Sequence, residues 1–348
     1  MSVASPGAGV RADMAEQPRV VERLLARRDE FAEAIAAKGL FPARGIMLVA
    51  RGSSDNAAIY GRYLLELATQ LPAALAAPSL YTRYQSATRM EGWTVVAISQ
   101  SGATPEIIST VDALRANGAR TIVITNDPRS PLAERGELTI DLECGVERAV
   151  PATKTYLASL AALAALARAF SPGQWSVGAE GEAVAALSRV LAEGEAVEAV
   201  VGELAAATMV SHLGRGFGLS IAMEGALKYR EMTGRAAEGL SASDYLHGPI
   251  ASAGSETCVV AYIVSGKTAD DVLSTAEAAR RLGAHLLFVA EEPRTTGGAD
   301  LAVPHQPVEA LAAFSFVARA QQLALTCATR AGIDPDDPVG LHKITLTS

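Results

Sequence analysis

Cysteine and aromatic residues are scarce in this chain of 348 residues, and zinc-site spacings are missing altogether. The three cysteines, Cys144, Cys258 and Cys327, are far apart and odd in number, and aromatics make up 5% of the sequence. Such spacing argues against a disulfide framework and matches no Cys/His zinc motif. We therefore expect three buried thiols, no metal and no other cofactor.

Clustered positive charge is also missing. The chain has 30 Lys and Arg against 38 Asp and Glu, a formal net charge of -8, and its basic residues form no stripe. Proteins that bind nucleic acid non-specifically gain affinity by neutralising phosphates with such stripes. We therefore expect no nucleic-acid partner.

No apolar run is long enough to cross a bilayer. The longest uncharged helical stretch, 155–167, falls short of a membrane span. Residues 1–12 are small and polar, which predicts a segment without fixed structure rather than a signal peptide. We expect a cytoplasmic protein with no membrane partner. The stretch 155–167 suits either a dimer interface or the core of its own chain.

Short apolar runs alternate with helical patterns along most of the sequence. Residues 45–50, 94–98 and 121–125 have the composition of buried strands, and helical patterns follow each. An earlier helical pattern covers 13–37, with Pro18 near a helix start or at a kink. Buried strands joined by helices predict an α/β fold, a doubly wound parallel sheet with helices on both faces.

The second half of the chain repeats the first. Arg51 and Arg215 are 164 positions apart, and so are Gly102 and Gly266. Two separated landmarks with one offset indicate an internal duplication. We predict two three-layer αβα domains, at 41–185 and 186–333, after an N-terminal tail and helix at 1–40 and before a C-terminal tail at 334–348.

A polar loop follows the predicted strand 94–98. Ser99, Gln100, Ser101 and Thr104 bring hydroxyls, an amide and backbone N–H groups to a helix N-terminus. That arrangement can hold a phosphate without a lysine, and helix capping by the serines and the threonine is the alternative. The equivalent turn, 264–268, lacks the first serine and the glutamine, which favours one phosphate site per chain. Neither a P-loop nor a full dinucleotide-binding fingerprint is present.

Acid–base chemistry is predicted for one helix and one turn of the second half. Glu224, Lys228 and Glu231 are spaced i, i+4 and i+7 and so share one helix face, which suits either catalysis or a solvated face with ordinary ion pairs. His247 precedes Gly-Pro in a turn. A carboxylate and an imidazole are the groups that sugar ring opening and proton transfer beside a carbonyl require.

Together these motifs resemble the isomerase domain of the glutamine–fructose-6-phosphate aminotransferase (glucosamine-6-phosphate synthase) family, which is built from two tandem sugar-isomerase (SIS) domains. The resemblance runs from about residue 16 to the C-terminus. Its motifs are the Gly-Ser-Ser turn at 52–54, the loop 99–104, the helix 224–231, the Leu-His-Gly-Pro turn at 246–249 and the tail from 336 to 343.

The resemblance implies roles for these residues. Glu231 would carry a proton between C1 and C2, and Lys228 would orient the sugar and stabilise developing negative charge. His247, supplied by the neighbouring subunit of a homodimer with its active site at the subunit interface, would assist ring opening. Lys343 would reach the open-chain carbonyl and form a Schiff base. The remaining substrate-binding positions would be Gly52, Ser53, Ser54, Ser99, Gln100, Ser101, Thr104, Ala152 and Glu224.

Departures from the family pattern bear on the substrate. Arg51 replaces a small or thiol residue, Ala103 replaces a glutamate, and Ala152 stands at a position that is usually a sugar-contacting serine. About 40 residues precede the first domain, where the family carries a glutaminase domain with a cysteine nucleophile. The expected reaction is therefore the loss of ammonia from glucosamine 6-phosphate. Alternatives are a fructosamine-6-phosphate deglycase, a galactosamine-6-phosphate deaminase and a non-catalytic sugar-phosphate sensor.

Overall fold

The computed structural model describes residues 5–41, 43–291 and 300–341, which form two five-stranded sheets with parallel strand pairings. The first sheet has the order β2-β1-β3-β4-β5, and the second, β7-β6-β8-β9-β10, repeats that order with its own strands. The doubly wound α/β fold predicted from the sequence is therefore confirmed. The strands are β1 Gly45–Val49, β2 Ala73–Leu75, β3 Trp93–Ile98, β4 Arg120–Thr125, β5 Leu138–Asp141, β6 Met209–Gly214, β7 Ala237–Ser241, β8 Thr257–Ile263, β9 His285–Glu291 and β10 Leu301–Val303.

The described part of the chain has twelve α-helices, which precede, connect and follow these strands. Those of the first half are α1 Ala8–Ala26, α2 Arg28–Ala37, α3 Ser53–Thr69, α4 Pro78–Thr82, α5 Pro105–Ala116 and α6 Lys154–Phe170. Those of the second half are α7 Val177–Ala192, α8 Glu195–Ala206, α9 Phe217–Thr233, α10 Ala242–Leu246, α11 Ala269–Arg281 and α12 Glu309–Arg330. Among the described residues, no helix is both long and apolar enough to cross a membrane.

The duplication extends to single residues. Helices α3 and α9 each have 17 residues, and their first residues are 164 positions apart. Gly52 and Gly216 precede these helices with nearly the same backbone angles, φ 60° and ψ -134° against φ 60° and ψ -128°. A positive φ of this kind favours glycine, so both halves keep the same turn after their first strand.

The start of α1 corrects one expectation from the sequence. Residues 1–12 were expected to lack fixed structure, but α1 begins at Ala8. The backbone N–H groups of Gly9 and Val10 donate to the carboxylate of Asp336 at 2.7 and 2.8 Å. A remote carboxylate thus takes the place of a local N-cap, and its charge complements the helix dipole. Pro18 lies inside α1 rather than at its start.

The described chain divides into two compact units. The first unit holds 19–146 and 154–176, and the second holds 5–18, 147–153 and the described part of 177–341. In the first unit Val95, Val111 and Val123 lie in one hydrophobic cluster, and in the second Val259, Ala261 and Tyr245 do so. Helix α6 packs against α2 and α3, and its residues up to Ala167 are buried, which favours the core position for the stretch 155–167.

Candidate active site

The serine-rich loop of the first unit is fixed by local hydrogen bonds. The Oγ of Ser99 accepts the N–H of Gly102, and the Oγ of Ser101 accepts that of Ala103, both at 3.2 Å. Gly102 has φ 59°, and a Cβ there would collide with the side chain of Ser130. The loop therefore requires glycine at this point, where two chain segments meet closely.

The hydroxyls of this loop are not used as a helix cap. Thr104 precedes α5, and its side chain makes no capping hydrogen bond within the described structure. The hydroxyls of Ser99 and Ser101 accept N–H groups of the loop itself rather than of α5. The positive end of the helix dipole at the N-terminus of α5 is therefore not capped by these hydroxyls. This favours the hypothesis that the loop binds phosphate over the hypothesis that it caps the helix.

A second turn borders the same edge of the first sheet. Gly52, Ser53 and Ser54 follow β1, as Ser99 and Gln100 follow the adjacent β3, so both turns lie at the carboxyl end of the sheet. A Cβ placed on Gly52 would meet no described atom within 4 Å. The space above this turn is therefore open to a ligand.

Arg51, the departure noted in the sequence, joins the two turns. Its guanidinium pairs with both carboxylate oxygens of Glu106 on α5, each at 2.9 Å. The equivalent Arg215 contacts Asp271 on α11 at 3.1 Å in the second half. An ion pair of the same kind thus occurs in the half that lacks the serine-rich loop. We therefore interpret Arg51 as a structural link between the turn after the strand and a neighbouring helix, rather than as a phosphate ligand.

The charged face of α9 is buried in the second unit. The side chains of Glu224 and Lys228 are each 1% exposed, whereas that of Glu231 is 21% exposed. The Nζ of Lys228 lies 3.5 Å from Glu224 and donates a short hydrogen bond to Glu231. The solvated helix face considered from the sequence is therefore wrong for this stretch.

Lys228 keeps its charge despite burial. Desolvation lowers the pKa of Lys228, but Glu224, Glu231 and Glu147 together outweigh it, and the net shift is upward. The result is a buried ammonium among three carboxylates, one of which, Glu231, reaches toward solvent. That arrangement supplies a fixed positive charge next to a carboxylate able to exchange a proton.

Glu147 is the member of this cluster that sequence reasoning missed. It lies in the loop 147–153, is buried, and accepts the N–H of Thr153 at 2.8 Å. A single glutamate in an irregular loop has no periodicity, so only the tertiary contact with the α9 cluster identifies it. Ala152 is half-buried in the same loop.

The C-terminal segment is joined to this loop and to the cluster. The N–H of Val150 donates to the carbonyl of Asp336 at 3.1 Å. A largely apolar cavity of about 510 Å³ is lined by the end of α9 and by this segment, with Glu231, Leu227, Met232, Ile333 and Leu341 among its residues. Glu231 thus has access to a space large enough for a small ligand.

Two predicted catalytic residues are not part of this cluster in the described chain. His247 is exposed directly after α10, and its backbone N–H donates to the backbone carbonyl of Asp244. Lys343 lies outside the described residues. The structure therefore brings together Glu224, Lys228 and Glu231 in the second unit, and the turn 52–54 with the loop 99–104 in the first.

Fold and site together define a class: a tandem doubly wound α/β protein with a serine-rich loop after a strand in one unit and a buried cluster of one lysine and its carboxylates in the other. The SIS domain model matches residues 39–169 and 203–325. The chain therefore belongs to the SIS domain family.

Known proteins extend the comparison. The chain is 36% identical over 312 residues to glutamine–fructose-6-phosphate aminotransferase (isomerizing) of Gloeobacter violaceus, covering 86% of this chain and 51% of the relative. It spans about half the length of the curated relatives it matches. A solved structure from Silicibacter pomeroyi, assigned as a phosphosugar isomerase, has a TM-score of 0.81 at 28% identity, covering 94% and 99% of the two chains.

One further structure shares the fold alone. Glucosamine-6-phosphate deaminase of Thermotoga maritima superposes with a TM-score of 0.75 at 24% identity. The match covers 94% of this chain and 99% of that chain. The fold is thus common to proteins that differ in their named reactions, so residues of the site must decide the chemistry.

Proposed function

We propose that this protein is an aminosugar-phosphate isomerase and deaminase, which converts glucosamine 6-phosphate and water to fructose 6-phosphate and ammonia. The observation that carries the proposal is the buried Lys228 with its carboxylates, of which Glu231 alone reaches the cavity beside α9. The names of the Gloeobacter and Silicibacter relatives support isomerisation of a sugar phosphate.

The proposed isomerisation needs two proton transfers. With the ring opened by His247, Glu231 removes the proton from C2 of the aldehyde while the carbonyl oxygen at C1 gains a proton, giving an enolamine with a hydroxyl group on C1. Glu231 then returns its proton to C1 while the nitrogen on C2 loses one, so that C1 becomes a hydroxymethyl group and C2 a ketimine with no net change in protons. Water then adds to the ketimine and ammonia leaves, so that one water is consumed for each ammonia released. General acid–base catalysis of this kind contributes about 10²–10⁴-fold.

The other site residues hold the substrate in this scheme. Lys228 stabilises negative charge that develops on the enolamine oxygen, because its own charge is maintained by the surrounding carboxylates. The turn 52–54 and the loop 99–104 bind the phosphate. In the same scheme we assign the open-chain carbonyl to Lys343, which lies outside the described residues. Water is the co-reactant in this scheme, so the reaction consumes no glutamine.

Ammonia and fructose 6-phosphate should be followed together after adding glucosamine 6-phosphate without glutamine. We expect equal amounts of both products from the wild type. Glu231→Gln should lose both by at least about 10²-fold, since it keeps the shape but not the proton. Glu182→Gln, on an exposed position of α7, is the matched control and should behave as wild type. Product formation that survives in Glu231→Gln would refute the assignment of the proton carrier.

The apolar cavity favours a second candidate, fructosamine-6-phosphate deglycase. A ketosamine phosphate carries a substituent on nitrogen, and the cavity beside Glu231 has room for one. Ala152 also removes the hydroxyl that the family places near the sugar. Rates with glucosamine 6-phosphate, galactosamine 6-phosphate and an N-substituted fructosamine 6-phosphate, measured side by side, separate the candidates. A preference of tenfold or more for the N-substituted sugar would replace the deaminase by the deglycase.

The proposed site uses His247 of the neighbouring subunit, and the exposure of His247 in the single chain agrees with that role. Mixing inactive Glu231→Gln and His247→Asn subunits tests it. In a mixed dimer one site would combine an intact Glu231 with an intact His247 from the other chain, so activity should return. If both residues act within one chain, mixing restores nothing.

A further inference from the structure

Two segments from the first half of the chain belong to the second unit, which contains the α9 cluster. They are 5–18, which includes the start of α1, and the loop 147–153, which includes Glu147. The positions 164 residues after this loop, 311–317, lie within α12, so the second half has a helix where the first has the loop. The loop is therefore one of the features in which the two halves differ, and its place in the second unit depends on its contacts.

Asp13 on α1 binds the backbone of this loop. Its side chain is fully buried, and one carboxylate oxygen accepts the N–H groups of Arg148 and Ala149 at 2.6 and 3.1 Å. The other oxygen accepts a hydrogen bond from the guanidinium of Arg148 at 2.7 Å. These three donors of the loop offset the cost of burying the carboxylate, so α1 and the loop are joined by charge-assisted hydrogen bonds.

The next backbone N–H of the loop is also connected to α1. The N–H of Val150 donates to the carbonyl of Asp336 at 3.1 Å, and the carboxylate of Asp336 caps the start of α1. The N–H groups of Arg148, Ala149 and Val150 are thus held in succession, either by α1 itself or by its capping residue.

Gln17, one helical turn after Asp13, makes a second connection. Its Nε2 donates to Oε1 of Gln321 on α12 at 2.7 Å, and Nε2 of Gln321 donates to the carbonyl of Thr153 at 3.1 Å. Both glutamine side chains are buried. Helices α1 and α12 together therefore hold the loop near its two ends, at Arg148 and at Thr153.

Glu147 is the residue of the cluster that these contacts fix. It directly precedes Arg148, and its carboxylate accepts the N–H of Thr153 at 2.8 Å. Its negative charge is one of those that keep Lys228 protonated. Because a misplacement of about 1 Å can change the rate of an enzyme by about 10²-fold, the anchors of this loop bear on the chemistry.

We propose that Asp13 is a positioning residue for the reaction: by holding the backbone of Arg148 and Ala149, it keeps Glu147 near Lys228. The kinetic part of this inference rests on the proposed function, whereas the hold of Asp13 on the loop does not. Asp13 acts through the loop and not on the substrate. Its effect should therefore appear in kcat rather than in KM, since we assign phosphate binding to the turns of the first unit.

Steady-state kinetics of ammonia release from glucosamine 6-phosphate test the proposal. Asp13→Ala frees the N–H groups of the loop and should lower kcat by about 10–10²-fold, with KM changed by less than about threefold. Asp13→Asn keeps an oxygen that can accept both N–H groups, and its kcat should stay within about threefold of the wild-type value. An Asp13 that serves stability alone would leave kcat of the folded protein unchanged in Asp13→Ala, and that result would overturn the proposal.

Glu16→Ala is the matched control on the same helix. Glu16 accepts a hydrogen bond from the guanidinium of Arg148 at 2.8 Å, so the variant loses an ion pair with the loop but leaves the bonds from Asp13 to the loop backbone in place. Its kcat and KM should be those of the wild type. A loss of kcat as large as that of Asp13→Ala would contradict the role given to the backbone bonds.

Hydrogen exchange without substrate separates the possible failures. The amides of 148 and 149 should exchange at least about tenfold faster in Asp13→Ala than in the wild type, because they lose their acceptor. If the wild type releases no ammonia but this acceleration is seen, the proposed function fails and the hold of Asp13 on the loop stands. Equal exchange in both proteins would overturn the inference. Should Asp13→Ala fold poorly, Asp13→Ser, which keeps one acceptor, should give an intermediate kcat, and a wild-type kcat in that variant would count against the proposal.

Discussion

The charged residues of the α9 cluster are largely buried, whereas those of an ordinary charged helix face are exposed to solvent. The spacing of Glu224, Lys228 and Glu231 is compatible with both, and only packing distinguishes them. A buried ion pair owes its stability to complete pairing, because the cost of desolvating each charge is returned only by its partners. Lys228 is therefore more sensitive to substitution than surface lysines.

Lys228→Met should destabilise the protein by about 3–5 kcal/mol, because it leaves three carboxylates without their common cation. Lys38→Met, on an exposed position, should change the free energy of unfolding by less than about 0.5 kcal/mol. The pKa of Lys228 is raised on folding, so its contribution is complete below its ordinary value of 10.5 and is lost as pH rises through the folded pKa. Urea unfolding at pH 7 to 11 measures both effects. Equal stability of the two variants would contradict the pairing.

His212 should make the protein sensitive to acid. Burial, with a smaller contribution from Arg230, lowers the pKa of His212 to about 3. Its neutral ring lies 2.9 Å from the hydroxyl of Tyr262. Because the unfolded chain takes up the proton first, the contribution is present above pH 6.5 and falls by about 1.4 kcal/mol per unit toward the folded pKa. His212→Gln should flatten the dependence of the free energy of unfolding on pH between pH 6 and 4, which urea unfolding across that range measures, and an unchanged slope would contradict the assignment.

At the scale of elements, the position of α9 depends on one residue without a side chain. A Cβ on Gly225 would lie 2.6 Å from the hydroxyl of Tyr262 and 2.8 Å from Nδ1 of His212. Gly225 therefore allows the helix that carries Glu224 and Lys228 to approach β6 and β8 closely. Alanine has a higher helix propensity than glycine, so the glycine at this position is explained by packing rather than by propensity.

Gly225→Ala should cost about 1–3 kcal/mol of stability through overpacking and should also lower kcat by shifting α9. Gly202→Ala, on an exposed position of α8 where a Cβ meets no described atom within 4 Å, should instead stabilise by about 0.5–1 kcal/mol. Melting temperatures and kcat of the pair give the comparison. Two stabilised variants would show that α9 does not depend on this close approach.

The start of α1 depends on the far end of the chain. Asp336→Ala removes the acceptor for two N–H groups of α1 and should cost about 1–2 kcal/mol. Because the carbonyl of Asp336 also accepts from Val150, faster hydrogen exchange is expected in the loop 147–153. Asp337→Ala, at the adjacent exposed position, should change neither measurement. An unchanged exchange rate in Asp336→Ala would show that the stability of the loop 147–153 does not depend on the capping of α1.

At the scale of the whole molecule, the two copies of one duplicated fold carry different polar side chains. Both units have the same strand order, yet the serine-rich loop belongs to the first and the acid–base cluster to the second. Each half has an ion pair between an arginine after its first strand and a helix, formed by Arg51 in the first and by Arg215 in the second. The serine-rich loop and the α9 cluster each occur in one half alone. Features shared by the halves therefore maintain the fold, and features that differ are the candidates for function.

This asymmetry should be visible in solution. On addition of glucosamine 6-phosphate, hydrogen exchange should slow in the loop 99–104 by tenfold or more and stay unchanged in the turn 264–268, because that turn lacks the first serine and the glutamine of the loop. Peptide-level mass spectrometry resolves both segments. Protection of 264–268 in the wild type would mean that the second unit binds the sugar phosphate as well.

The sequence by itself determined the α/β class, the parallel strands and the duplication, because apolar periodicity and a constant offset are properties of the chain order. It also identified the loop 99–104 and the spacing of Glu224, Lys228 and Glu231. The predicted domain boundaries and residue roles stay predictions. Tertiary structure alone decided that Lys228 is buried, that Glu147 lies near it and that Asp336 caps α1. Each of these depends on contacts between residues distant in sequence, which only chain packing brings together.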